Sequence, residues 1–186
     1  FGVAPKGDAN DPLAVQGQIR THLMKAGKAA FVEETFLDFE QAYRLILELG
    51  GIPCYPTLAD GVQPVCEYEQ PVEKLIENVR GLNVHCAEFI PIRNRPDVLR
   101  RYALAMRRAG LVVLAGTEHN TVDLLPIEPT CVQDLPIGED LREIFWEGAC
   151  VVAAHQFLAL HGRCGFVDEA GRPNAASRAS AATTTT

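Results

Sequence analysis

The sequence predicts an α/β fold built on a parallel sheet, and three observations predict it. One unit, consisting of a helix, a glycine, a short apolar strand and a polar loop, occurs three times between about 38 and 121. Each strand reads as a short, nearly continuous apolar run, as expected of a strand covered on both faces. Alternation of helix and strand implies right-handed crossovers, which bring every polar loop out at the carboxyl edge of the sheet.

The chain opens with a Gly, Pro, Asp and Asn loop over residues 1–11. Asp11-Pro12 then predicts a helix start, an N-cap acid followed by proline at the first helical position. That helix carries Leu13, Ile19, Leu23 and Met24 and stops at Gly27. Phe31-Val32 reads as a short strand. Asp38 caps a second helix with Phe39, Ala42, Tyr43, Ile46 and Leu49 on one side. Gly50-Gly51 ends it, and Ile52 to Tyr55 is the strand that follows, with Pro56 to Gly61 as its loop.

Pro71 opens the next helix, with Val72, Leu75, Ile76 and Val79, and Gly81 closes it. Val84 to Ile90 is the second of the three strands and Pro91 to Asn94 its loop. Pro96 opens the helix with Val98, Leu99, Tyr102, Leu104, Ala105 and Met106, closed by Gly110. Leu111 to Ala115 is the third strand, and Gly116-Thr117-Glu118-His119-Asn120-Thr121 its loop. Residues 122–138, with Pro126, Pro129, Pro136 and Gly138, read as a long ordered loop. Glu139 to Leu160 is one long helix, charged at first and then apolar, ended by His161-Gly162. The expected organisation is a single β/α domain over residues 1–168 and a disordered tail over 169–186, rich in Ala, Ser and Thr.

At 186 residues and 47% hydrophobic content the chain can bury an ordinary core. A formal net charge of -7 argues against nucleic acid as partner, because counterion release rewards basic surfaces. Arg93, Arg95, Arg100, Arg101, Arg107 and Arg108 cluster locally and read as a solvated helix face. The six cysteines show no C-x-x-C spacing, and Cys54, Cys86 and Cys150 lie in apolar runs. They read as reduced and structural, which favours a cytoplasmic setting. The apolar run from Gly148 to Leu160 is too short to span a bilayer, so no membrane role is expected. The first residue is Phe1 rather than Met, so the chain is expected to be the C-terminal part of something longer.

The chemistry concentrates at the expected carboxyl edge, where Tyr55 with Asp60, Glu88 with Arg93 and Asn94, and Glu118 with His119 and Asn120 share one rim. Imidazole and carboxylate at neighbouring strand ends suit a divalent metal such as Zn, Mn or Fe, which polarises a phosphoryl oxygen and acidifies water. His119 is the candidate ligand. Glu118 and Glu88 are candidates for ligand or general base. Arg93 suits bidentate clamping of phosphate or carboxylate, and Asn94, Asn120 and Tyr55 are candidate substrate contacts. Plainer readings compete: a turn before Pro96 for Arg93-Asn94, a turn for Asp60, a buried acid paired with arginine for Glu88, and structural roles for His22, His85 and His155. Neither a nucleophile elbow nor a phosphate-binding glycine loop is present.

Gly50-Gly51-Ile52-Pro53-Cys54-Tyr55-Pro56 resembles a strand-and-loop motif of the PHP (polymerase and histidinol phosphatase) superfamily. Ala87-Glu88-Phe89 through Arg93-Asn94 is similar to a later strand of that family, and Gly110-Leu111 through Gly116-Thr117-Glu118-His119 to its last metal motif. The order and spacing agree over residues 31–121. The resemblance implies the C-terminal part of a distorted (β/α)7 TIM-like barrel and metal-dependent phosphoester hydrolysis of a small phosphorylated or anionic substrate. Of the family's ligands only His119 carries over: Tyr55 stands where the family has His, Thr117 where it has Asp, and its opening His-x-His is absent from the sequence. Two further expectations therefore stand beside hydrolysis. One is a catalytically degenerate binding or regulatory module; the other is a metal-dependent sugar isomerase or aldolase-type barrel.

Overall fold

The structure, a computed structural model, describes residues 10–33, 35–117 and 126–174. The chain forms two compact units, Phe1–Asp38 and Phe39–Thr186.

In the first unit Asp11 caps helix α1 (Pro12–Ile19), its Oδ1 accepting from the Leu13 N–H at 3.0 Å and the Ala14 N–H at 3.2 Å. A cap of this kind contributes about 1 kcal/mol. The helix continues as a wider π-type turn over Arg20–Met24. Phe31-Val32 forms no strand, and the Val32 side chain stands 79% exposed. Strand-forming side chains over two residues do not make a strand without a neighbouring backbone to pair with.

In the second unit the elements run α2 (Phe39–Glu48), β1 (Cys54–Thr57), α3 (Val72–Gly81), β2 (Cys86–Phe89), α4 (Pro96–Arg108), β3 (Val112–Ala115) and α5 (Glu139–Leu160). The three strands pair in the order β1-β2-β3, all parallel, with Cys54, Cys86 and Val112 in one row and Thr57, Phe89 and Ala115 in another. The expected α/β class is therefore present as a three-stranded parallel sheet. β1 starts two residues later than its apolar run suggests and includes Pro56. Proline is tolerated there because β1 is an edge strand of this sheet.

Alternation divides the side chains between two cores. Ala87, Phe89 and Val113 face α3 and α4 and join Leu75, Leu99, Tyr102 and Met106, with Tyr55 and Ala115 packed against them. Cys86 and Val112 face the other way, with Val151, Phe166 and Val167, and with Cys54 and Leu114 alongside.

Helix α5 closes on β3 through Gly148, where a Cβ would run into the carbonyl oxygen of Val113. Val112 and Gly116 donate towards β2, so the intervening Val113 carbonyl points away from the sheet, and α5 covers that free edge. Arg100 to Asp140 at 2.6 Å and Arg107 to Glu147 tie α4 to α5. These arginines lie seven residues apart on one helix face, which is why that face meets α5 rather than water alone.

Residues 169–174, expected as part of the tail, are folded. The Asn174 N–H donates to the Phe166 carbonyl at 2.7 Å, and Asp168 accepts from the Ala170 and Arg172 N–H groups at 2.9 Å. Residues 175–186 lie outside the described residues. Among the described residues no helix is long and apolar enough to cross a membrane.

Candidate functional site

Parallel pairing brings the loops after β1, β2 and β3 out at the same edge. The loop after β1 is held down from two sides. From one side comes Glu69, 1% exposed, in a short 3-10 turn over Glu67–Glu69. Its Oε1 accepts from the Tyr55 hydroxyl and the Leu58 N–H, each at 3.0 Å, and its Oε2 from the Ala59 N–H at 2.6 Å. A buried carboxylate persists only when both oxygens are occupied in this way. The third of these bonds also holds Ala59 at a φ of 47°, a left-handed conformation that alanine disfavours. The Tyr102 hydroxyl donates to the Glu69 carbonyl at 2.8 Å.

From the other side comes Asn94, also 1% exposed. Its amide nitrogen donates to the Leu58 carbonyl and to Asp60 Oδ1, both at 2.8 Å. Asp60 accepts as well from the Arg95 N–H at 3.3 Å and pairs with Arg95 Nε at 3.2 Å. The carboxylate thus sits at the amino end of α4, where the helix presents unsatisfied N–H groups and positive potential. The Val132 N–H donates to the Asn94 carbonyl at 3.1 Å, which attaches the segment before α5.

The rim expected from the sequence is therefore divided. Asp60, Asn94 and Arg95 meet directly, and Arg93 stands beside them in the wall of a recess of about 440 Å³. Tyr55 turns inward, its hydroxyl engaged by Glu69; burial and that carboxylate hold its pKa far above the usual tyrosine value. Glu88 lies on the opposite face of the sheet, in the row of Pro56 and Leu114. Its carboxylate rests on Gly116, where an added Cβ would strike Oε1. Glu118, His119 and Asn120 lie outside the described residues.

At the end of β1 the Thr57 hydroxyl is buried and has no hydrogen-bond partner among the described residues, an arrangement that costs free energy. Among the described residues no group of three or more His, Cys, Asp or Glu side chains is placed to hold a metal ion. The described residues alone do not make a metal centre.

Two histidines away from the rim, His155 and His85, have structural partners. His155 is 5% exposed; its Nδ1 accepts from the Phe166 N–H at 3.0 Å, so the proton sits on Nε2, which donates to the Gly50 carbonyl at 3.0 Å. His85 meets Asn83 Oδ1 at 2.9 Å, and burial lowers its pKa. Glu69, the acid that organises the β1 loop, escapes a reading of the sequence. Its partners lie 10 to 14 residues upstream, and no local periodicity marks it.

Comparison with known proteins adds no relative: no family model, no curated protein and no solved structure matches the chain.

Proposed function

We propose that the chain acts on small phosphorylated or anionic molecules at the carboxyl edge of its sheet, as a metal-dependent hydrolase resembling the PHP phosphoesterases. Its three parallel strands would then be the C-terminal part of a (β/α)7 barrel. The observation that carries the reading is the Glu88 carboxylate lying on Gly116. That contact sets an acid from the central strand at the start of Gly116-Thr117-Glu118-His119, the segment with the densest polar chemistry in the chain. In this reading His119 is a ligand of a Zn, Mn or Fe ion, which would supply Lewis acidity. Glu88 or Glu118 accepts a proton from the attacking water, Arg93 draws in the anionic group, and Asn120 contacts substrate. Asn94 contributes by holding the β1 loop in place.

The test is a screen of phosphomonoesters with added Mn or Zn, with and without a chelator. Chelator-sensitive turnover is expected; no turnover of any phosphomonoester under either condition counts against hydrolysis.

A second reading, a non-catalytic binding or regulatory module, is favoured by Tyr55. At a position where the resembling family has a metal-binding His, this side chain instead donates to Glu69. That reading expects ligand binding without turnover in the same screen.

A further inference from the structure

Helix α5 carries two apolar faces. Leu141, Ile144, Phe145, Gly148 and Val151 are buried, with Gly148 resting on Val113. On the opposite side Trp146, Ala149, Cys150, Ala153, Phe157 and Leu160 recur at helical spacing and form one stripe. Trp146, Phe157 and Leu160 stand 63%, 60% and 85% exposed. Single exposed apolar side chains are ordinary, whereas a continuous apolar stripe marks an interaction surface. No Asp, Glu, Lys or Arg interrupts the chain between Glu147 and Arg163. The Phe157 ring is steadied by His161, whose ring centre lies 4.3 Å away and whose Nδ1–H donates to the Phe157 carbonyl at 2.7 Å.

We infer that this face is a self-association surface, on which α5 of a second copy packs antiparallel about a two-fold axis beside Ala153. Three features select a second copy. The first is size. With the axis at Ala153, Phe157 of one copy enters the hole made by Trp146, Ala149, Cys150 and Ala153 of the other, a knob among residues at i, i+3, i+4 and i+7. The small side chains of that hole leave room for the ring, Trp146 covers Leu160 of the second copy, and symmetry repeats both contacts. The second feature is charge. Glu143 and Glu147 lie at one end of the stripe only, so antiparallel packing sets each acid against the uncharged last turns of the other helix, and parallel packing in register would set like against like. The third is area. Trp and Phe side chains bury roughly 150–250 Å² each, and two copies of Trp146, Phe157 and Leu160, with the small residues between them, approach the lower bound of a specific interface, about 1,000 Å² in total. The dimer is therefore reversible, dissociating in the micromolar range.

The test is sedimentation equilibrium of the full chain from micromolar to millimolar concentration, with tryptophan emission recorded over the same range. Trp146 is the single tryptophan of the chain, so its emission reports this face alone. Wild type should pass from monomer to a discrete dimer, with a blue shift of the emission in step. Phe157→Asp and Leu160→Asp, both at exposed positions and each checked for folding by circular dichroism, should weaken association about a hundredfold or more, because symmetry counts each change twice. Ile127→Asp, at a position 92% exposed outside α5, should associate like wild type. A wild type that stays monomeric, a dimer whose emission does not shift, wild-type association in folded Phe157→Asp or Leu160→Asp, or an equal loss in Ile127→Asp would each overturn the inference.

Discussion

Tyr55 donates its hydroxyl to Oε1 of the buried Glu69 at 3.0 Å, and the same carboxylate holds the backbone of Leu58 and Ala59. One acid therefore fixes both the outgoing end of β1 and the turn that leads to Asp60. The hydroxyl is a clamp on that turn.

Tyr55→Phe should accordingly cost stability and leave ligand chemistry alone. Removing one donor to a carboxylate that keeps its two backbone bonds costs about 1–3 kcal/mol. Glu69→Ala leaves the Leu58 and Ala59 N–H groups and the Tyr55 hydroxyl without their acceptor, and should cost about 3–5 kcal/mol. Urea unfolding measures both. A Tyr55→Phe protein of wild-type stability with altered metal content would assign the hydroxyl to the ligand instead.

The same contact sets an alkaline limit. Burial and the neighbouring Glu69 raise the Tyr55 pKa above the ordinary value of 10.0. A group whose pKa is higher in the folded state contributes its stability fully below the unfolded value and loses it as pH climbs towards the folded one. Tyr43 and Tyr102 shift in the same direction, chiefly through burial. Thermal midpoints should therefore fall above pH 10, and fall less steeply in Tyr55→Phe. Parallel alkaline limbs in the two proteins would contradict the assignment.

Glu88 and Gly116 provide a functional test. Glu88→Gln keeps the shape and removes the proposed base, so turnover should drop by about 10² or more while the fold is retained. Gly116→Ala should push the carboxylate aside, since the new Cβ meets the mobile tip of Glu88 rather than backbone. A smaller loss of turnover is expected there, with stability within about 0.5 kcal/mol of wild type. Unchanged turnover in Glu88→Gln would transfer the role of base to Glu118.

Gly148 tests the packing of α5. An added Cβ would meet the Val113 carbonyl oxygen and the Leu114 side chain. Backbone cannot yield as a side-chain tip can, so Gly148→Ala should destabilise by about 1–3 kcal/mol, read by denaturant unfolding. A neutral effect would mean that α5 does not rest on the edge of β3.

Much of the fold was legible. Helix α5 runs from Glu139 to Leu160, as its charged start and the His161-Gly162 stop predict, and α4 begins at Pro96 as predicted. The parallel sheet followed from the order of elements, because crossovers leave little choice of topology. The start of β1 differs from the sequence expectation because Ile52 and Pro53 continue the apolar run without joining the ladder. The candidate site was less legible. Which strand-end side chains share a face depends on register, and register is a pairing between distant segments. Tyr55 pairs with Ala87 and Pro56 with Glu88, which places the tyrosine and the acid on opposite faces although both sit near strand ends.

The central claim is that His119 anchors a metal at the carboxyl edge, and metal analysis of the purified chain tests it most directly. Wild type is expected to retain Zn, Mn or Fe through gel filtration, and His119→Ala, folded to the same degree by circular dichroism, to lose it. Equal metal content in the two proteins would contradict the account.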